Sequence, residues 1–227
     1  AKDNGGHCSM RALNFGSLNI DYVYSVAHTV KPGETLSAGS CSSFCGGKGL
    51  NQSVALARAG AEVFHAGSIG SDGEMLREKL DEFGVNTDFI SVTTGQSGHA
   101  IIQVSDDGQN AILVYGGANK TITEKQIDDV LASFNAGDFL FLQNEINSVE
   151  YLIRKAKSMG LTTVFNPSPF TPEILSLPLG SLSFIVVNET EANELTGKTS
   201  AIDIISAFSE KYPGGNVLLT LGEDGSV

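Results

Sequence analysis

From residue 138 onward, short apolar runs alternate with segments whose apolar side chains recur at helical spacing. The predicted strands are residues 139–143, 162–165, 184–187 and 217–220, and the predicted helices between them are residues 148–159 and 200–212. Strands that alternate with helices pair in parallel, and the helices then cover the faces of the sheet. The alternation therefore predicts an α/β fold with a mostly parallel central sheet flanked by helices.

The amino-terminal half adds further elements of the same kind. Residues 123–126, Thr-Glu-Lys-Gln, match a capping box and predict the start of a helix. An apolar stripe over residues 75–83 predicts a second helix, which ends at Gly84. Residues 12–15 form a short apolar run, which we interpret as a strand at an edge of the sheet.

Two segments interrupt this alternation. Residues 35–44 carry small side chains at strand-like spacing, and residues 99–115 predict two strands around the turn Asp-Asp-Gly-Gln at 106–109. Such strands do not fit into the order of a parallel sheet. We therefore expect a small separate β-sheet, drawn from residues 22–44 and 97–116, that acts as a lid over a cleft or as a subunit contact.

Composition and charge exclude several classes of partner. Lys and Arg total 14 against 26 Asp and Glu, a net charge of −12, so nucleic acid is not expected to bind. No apolar run approaches the roughly 18 residues that a membrane helix needs. Cys8, Cys41 and Cys45 match no metal-binding or redox spacing and predict free thiols in a cytoplasmic protein. Residues 1–9 are polar and are expected to be a disordered leader or tag before one domain at 10–227.

Polar residues follow the predicted strands at their carboxyl ends. In open parallel sheets this is the edge at which ligands bind. The side chains concerned are Asn144, Glu145, Asn166, Asn188, Glu191 and Thr220, with Gly222 close behind. We expect a polar site along this edge.

Two segments near the amino terminus favour a small polar ligand. Residues 46–49, Gly-Gly-Lys-Gly, precede a helix of small residues, an arrangement that turns backbone N–H groups toward a ligand. The segment is not a Walker A loop, because Gly49 stands where that loop has Ser or Thr. Asn19 and Asp21 are two residues apart, so on an extended chain they face the same side and suit vicinal hydroxyls. Alternatively, these two side chains cap the next segment.

The order of these motifs resembles that of the ribokinase-type, or pfkB, carbohydrate kinases. The resemblance spans residues 10–227 and is carried by residues 16–21, 32–35, 46–60, 70, 116–119, 166–169, 188–191, 195–197 and 220–222. It implies a ribokinase-like fold with a small β-sheet lid that also forms a homodimer contact. It further implies transfer of a phosphoryl group from ATP to a sugar hydroxyl, and D-ribose is the acceptor that we expect, giving ribose 5-phosphate.

The resemblance also implies roles for individual residues. The sugar ligands would be Asn19, Asp21, Gly47, Lys48, Asn51 and Glu145. The nucleotide site would include Asn188, Thr220 and Gly222, while Asn188 and Glu191 would organise Mg²⁺ through water.

One part of the family pattern has no counterpart in these residues. The family's catalytic base is the Asp of a Gly-Ala-Gly-Asp segment, which is absent here, as is the loop that binds K⁺. We therefore expect the 227 residues to be an incomplete kinase that is inactive alone, and we assign no catalytic base to Asp21 or Glu145. Two alternatives remain open, namely a kinase for another sugar or a nucleoside (fructose, a 2-keto-sugar acid or an adenosine-like acceptor) and a non-catalytic sugar-binding module.

Overall fold

The computed structural model describes residues 11–227, so the predicted leader at 1–9 lies outside the described residues. In chain order the strands are β1 Arg11–Phe15, β2 Asn19–Val26, β3 Ser40–Gly46, β4 Glu62–Ile69, β5 Asn86–Val92, β6 Gly98–Ser105, β7 Asn110–Tyr115, β8 Phe139–Gln143, β9 Thr162–Asn166, β10 Phe184–Asn188 and β11 Asn216–Thr220. The α-helices are α1 Lys48–Arg58, α2 Glu74–Glu82, α3 Glu124–Leu131, α4 Val149–Met159, α5 Glu189–Thr196 and α6 Ala201–Lys211.

Seven parallel strands form the main sheet, in the order β11–β10–β9–β8–β1–β4–β5. The predicted α/β architecture and the four predicted strands from residue 139 onward are confirmed. The position predicted for residues 12–15 is wrong, because β1 lies between β8 and β4 and not at an edge. Long-range pairing with both neighbours decides that position, and the short apolar run carries no information about it.

Helices cover both faces of the main sheet. Alternate side chains of β1 point to opposite faces, so Leu13 and Phe15 pack in one apolar cluster with α3 to α6, whereas Ala12 packs in another with α1 and α2. None of the helices among residues 11–227 has both the length and the apolar character needed to cross a bilayer.

The capping box predicted at α3 is present only in part. Thr123 accepts the hydrogen bond of the Gln126 backbone N–H at 3.2 Å, as predicted. The Gln126 side chain does not return to the cap but donates to the Gly67 carbonyl at 3.1 Å and to the Ser91 hydroxyl at 3.0 Å. Gln126 therefore joins α3 to the main sheet, a long-range partner that the local pattern could not reveal.

A separate four-stranded sheet has the order β3–β2–β6–β7. The predicted hairpin is confirmed as β6 and β7, and the small sheet itself is confirmed. The strand predicted over residues 35–44 begins only at Ser40, because a turn at Lys31 to Glu34 and an irregular segment precede it. The two interior strands of this sheet are β2 and β6, and β2 follows β1 directly through residues 16–18.

Candidate active site

Glu145, which follows β8, holds the amino-terminal end of α1. Its Oε2 accepts a hydrogen bond from the Lys48 backbone N–H at 2.9 Å and another from the Ser17 hydroxyl. Ser17 Oγ in turn accepts from the Gly49 N–H at 3.1 Å. The predicted residues Lys48 and Glu145 therefore meet, and Glu145 Oε1 takes no part in these bonds.

The glycine-rich turn lies against the protein's own backbone. Gly47 is the residue before α1 and has φ 97°, a conformation that favours glycine. At Gly49 a Cβ atom would lie 2.4 Å from the Ser17 N atom, so any side chain would push α1 away from the segment between β1 and β2. The close approach that the sequence suggested for a ligand is here also an approach between two parts of the chain.

Glu145 lies close enough to influence the pKa of one other carboxylate and of one ammonium group. Partial burial raises the pKa of Asp21, and the negative charge of Glu145 raises it further. Burial lowers the pKa of Lys120, and Glu145 opposes this shift. Lys120 Nζ is 3.4 Å from the Ile146 carbonyl oxygen. Asp21 and Glu145 thus supply hydrogen-bond acceptors for hydroxyl groups, and the ammonium group of the exposed residue Lys120 lies close to Glu145.

Asn19 shares the face of β2 on which Asp21 lies, because alternate residues of a strand point to the same side. Asn19 is buried, and its Oδ1 accepts a hydrogen bond from Asn119 Nδ2 at 2.7 Å. The alternative that this pair caps the next segment does not fit, since both residues lie within an eight-residue strand.

Asn51 is a predicted sugar ligand whose side chain has no hydrogen bond, within residues 11–227, to the other residues of this site. It lies in the first turn of α1 with an exposed side chain, beside a surface concavity of about 330 Å³ that Cys45 and Arg58 also line. Among residues 11–227, no side-chain hydrogen bond connects Asn51 with Asp21 or Glu145. Its role as a sugar ligand stays a prediction.

Three residues of this site were not predicted as site residues from the sequence. Ser17, Asn119 and Lys120 all contact or influence a predicted ligand. Ser17 and Asn119 stand inside motifs that carried the family resemblance, which was the available signal. Lys120 had no such signal.

A second polar group lies farther along the same edge of the main sheet. Asn188 ends β10 and pairs in register with Thr220 at the end of β11, and Thr220 Oγ1 donates to the Val187 carbonyl at 3.3 Å. Asn188 and Glu191 form a complete capping box, with bonds of 2.8 and 3.1 Å. Gly222 begins a 3₁₀ turn directly after β11.

The two polar groups are close enough for one elongated ligand or for two adjacent ligands. β9 separates β8 from β10, so two strand spacings, about 10 Å, divide Glu145 from Asn188 along the edge. Glu145 and the predicted nucleotide residues Asn188 and Thr220 therefore lie on one edge of the main sheet.

A buried series of hydrogen-bonded polar side chains contacts the glycine-rich turn and stabilises it. Asn14 Nδ2 donates to the Gly49 carbonyl at 2.7 Å and to Ser53 Oγ at 2.9 Å, and Ser53 Oγ is 2.8 Å from His65 Nδ1. His65 is fully buried, and this burial lowers its pKa to about 4, although the nearby Gly16 carbonyl opposes the shift. The imidazole is therefore neutral at physiological pH.

Residues 11–227 match the family described as pfkB family carbohydrate kinase. The chain belongs to this family. It is 37% identical over 223 residues to the ribokinase of Haemophilus influenzae. The aligned region covers 92% of this chain and 71% of that enzyme. It is also 31% identical over 221 residues to the deoxyribokinase of Salmonella typhi, covering 93% of this chain and 72% of that enzyme.

A solved structure supports the same assignment. The structure of Arabidopsis thaliana ribokinase complexed with ribose and ATP superposes with a TM-score of 0.82 at 30% identity, covering 96% of this chain and 74% of that chain. This similarity confirms the ribokinase-like fold, and the relatives identify the pfkB chain as a kinase.

Proposed function

We propose that this pfkB-family chain belongs to an ATP-dependent kinase that phosphorylates D-ribose to ribose 5-phosphate. The observation that carries the proposal is the site in which Asn19 and Asp21 of the small sheet lie beside Glu145 and the Lys48 backbone of the main domain. Carboxylates and carboxamides in this arrangement suit a neutral, hydroxyl-rich ligand. The relatives named above act on ribose or deoxyribose according to their names.

In the proposed reaction, the sugar hydroxyl attacks the γ-phosphorus of ATP, the bond from that phosphorus to the bridging oxygen breaks, and ADP leaves. Asp21 and Glu145 accept hydrogen bonds from other hydroxyls and fix the sugar in place, which raises the effective concentration of the attacking group. The attacking hydroxyl gives its proton to a base. The family resemblance assigns that role to the Asp of a Gly-Ala-Gly-Asp segment, which these residues do not contain, and we propose neither Asp21 nor Glu145 for it.

The donor set near β10 fits magnesium held through water. The Glu191 carboxylate and Asn188 amide offer oxygen atoms, which hard cations prefer, and Glu191 is 8% exposed. The capping box uses Glu191 Oε2 and Asn188 Oδ1, so Glu191 Oε1 is the oxygen we assign to a bound water. When bound, Mg²⁺ would neutralise charge on the phosphates of ATP. Thr220 and Gly222 are proposed to contact the nucleotide.

The small sheet is proposed as a lid that pairs with a second copy of the chain. Phe44 and Val114 lie in the same cross-strand row as Asp21, on one face of this sheet, and they are 54% and 58% exposed. A second copy placed on that face would bury these apolar side chains beside the sugar site and limit the access of water to it. Sedimentation of the protein as encoded should show a dimer, and Val114→Lys should yield monomers.

Kinetics of the protein as encoded in its gene test the main proposal. ADP release with Mg²⁺, with and without K⁺, should be fastest in kcat/KM for D-ribose among ribose, 2-deoxyribose, fructose, a 2-keto-sugar acid and adenosine. A preference for 2-deoxyribose would favour the deoxyribokinase alternative, to which the Salmonella relative points. Calorimetric ribose binding without turnover would favour the sugar-binding module, and no turnover of any acceptor would refute the kinase. A cytoplasmic location, where ATP is supplied, is part of the proposal.

A further inference from the structure

Asn119 connects two of the four places, within residues 11–227, at which the chain crosses between the main part of the fold and the small sheet. The chain enters that sheet at Leu18 and Asn19, and after β7 it returns through the 3₁₀ turn that contains Asn119. The Asn119 side chain is 1% exposed and contacts both Leu18 and Asn19, which lie 101 and 100 residues away in sequence.

The orientation of the Asn119 amide is fixed by backbone groups. Asn119 Oδ1 accepts from the Leu18 N–H at 3.0 Å, and Nδ2 donates to the Leu18 carbonyl at 3.3 Å. A backbone N–H can only donate and a carbonyl can only accept, so rotating the amide by 180° would break both bonds. Asn119 therefore presents an N–H, and not an oxygen, to Asn19.

The orientation of the Asn119 amide in turn fixes the orientation of the Asn19 amide. Because Asn119 Nδ2 donates to Asn19 Oδ1 at 2.7 Å, Asn19 must keep its oxygen on that side and turn its own Nδ2 the other way. Among residues 11–227, Asn19 Nδ2 donates to no protein group, and it is not one of the buried polar atoms without a partner. Its N–H groups are thus open to a ligand.

The packing around this pair requires a residue without a side chain at position 98. A Cβ atom at Gly98, which pairs with Asn19 across β2 and β6, would lie 2.1 Å from Asn119 Nδ2 and 2.3 Å from Asn19 Oδ1. Only glycine at this position admits the bond between the two amides.

We propose that Asn119 is a positioning residue that sets Asn19 as a hydrogen-bond donor toward the acceptor substrate, beside Asp21 as an acceptor. The substrate recognised here carries a hydroxyl whose oxygen accepts from Asn19 Nδ2 while its proton is directed to the Asp21 carboxylate. This inference rests on the proposed function, because it takes the acceptor to be a sugar.

Asn119→Asp tests the mechanism in the protein as encoded. The substitution keeps an oxygen for the Leu18 N–H but faces Asn19 Oδ1 with a carboxylate oxygen, so the Asn19 amide should turn over and lose its donor role. We expect the KM for ribose to rise about 10-fold or more, with the KM for ATP within about twofold of wild type.

Asn147→Asp is a matched control. Asn147 Oδ1 accepts from the Ile122 N–H at 3.1 Å and its Nδ2 donates to the Ile122 carbonyl at 2.7 Å, as Asn119 does with Leu18. The Asn147 side chain does not contact Asn19. This variant should leave the ribose KM within about twofold of wild type. Equal effects of Asn119→Asp and Asn147→Asp on the ribose KM would overturn the proposal.

A double-mutant cycle and a second variant make the assignment specific. In an Asn19→Ala background, Asn119→Asp should change the ribose KM by less than about twofold, whereas an undiminished effect would contradict action through Asn19. Asn19→Asp keeps an acceptor for Asn119 Nδ2 and removes the donors toward the sugar, and it also places a second carboxylate beside Asp21. It should raise the ribose KM about 10-fold or more, and an unchanged KM would overturn the proposal even if Asn119→Asp fails to fold.

Nuclear magnetic resonance separates failure of this inference from failure of the proposed function. The Asn19 side-chain amide signal, identified by its loss in Asn19→Ala, should shift downfield and exchange more slowly with water in Asn119→Asp, without any sugar present. It should stay in place in Asn147→Asp. No shift in Asn119→Asp would refute the positioning role, whatever the kinase assay shows.

Discussion

His65 makes the stability of this domain depend on pH in the weakly acidic range. The imidazole lies on β4 with 0% exposure, and its Nε2 has no hydrogen-bond partner among residues 11–227. Ser53, Asn14 and the Gly16 carbonyl are its polar neighbours, and none of them is an ionised group that would stabilise a positive charge. Protonation of His65 is therefore unfavourable in the folded state and is unhindered in the unfolded state.

The size of the effect follows from the pKa difference. The pKa of His65 falls from an ordinary 6.5 to about 4 in the folded protein. As the pH falls below 6.5, the unfolded state binds a proton that the folded state excludes, so the free energy of unfolding decreases until the pH reaches about 4. The full difference is about 3 kcal/mol, and about 2 kcal/mol of it is lost by about pH 5.

Urea unfolding of wild type and His65→Asn at about pH 8 and about pH 5 measures this contribution. The asparagine does not titrate and retains polar atoms for Ser53. Any constant loss from the smaller side chain cancels, because only the change with pH is compared. Wild type should lose about 2 kcal/mol more than His65→Asn between the two conditions. Parallel losses in the two proteins would show that His65 is not the buried neutral group inferred from the structure.

Three further substitutions test the site and its supports. Asp21→Ala should raise the ribose KM at least about 10-fold, because each lost hydrogen bond leaves a desolvated hydroxyl, and unchanged kinetics would remove Asp21 from the site. Gly49→Ala should destabilise the fold by about 1–3 kcal/mol because its Cβ meets the Ser17 backbone, whereas Gly180→Ala, which has open space around it, should not. Asn188→Ala should lower the unfolding free energy by about 1 kcal/mol through loss of the α5 cap. Thr123→Ala removes the cap of α3, where only half of a capping box is present, and should cost less. A smaller loss for Asn188→Ala than for Thr123→Ala would contradict the prediction.

The sequence predicted the local elements well because their signals are local. The alternation after residue 138, the hairpin at β6 and β7 and the helix end at Gly84 each depend on neighbouring residues. The central position of β1 and the long-range bonds of Gln126 were not predictable, because they depend on partners far away in sequence.

The candidate site divides in the same way. The position of Glu145 could be anticipated, since the carboxyl ends of parallel strands converge on one edge, whereas Asn19 and Asp21 were predicted from their spacing and the family resemblance and lie on β2 of the small sheet. The supporting bonds could not, because Ser17 reaches Glu145 across 128 residues and Asn119 reaches Asn19 across 100. Short motifs indicate which residues belong to the site. Which of their groups donate hydrogen bonds and which accept them is known only from the folded structure.

The proposed sugar ligands belong to two parts of the fold, since Asp21 lies on the small sheet and Glu145 follows a strand of the main sheet. Any movement of the small sheet against the main sheet therefore changes the separation of two negative charges. Because the charge of Glu145 is the second cause, after burial, of the raised pKa of Asp21, Glu145→Gln should lower the Asp21 pKa while leaving it above its ordinary value. Carbon-13 titration of the Asp21 carboxyl, with Glu150→Gln as a control on an exposed helix, measures the change. An Asp21 pKa that stays the same or rises in Glu145→Gln would show that the two carboxylates do not share one site, and that the sugar does not bind between them.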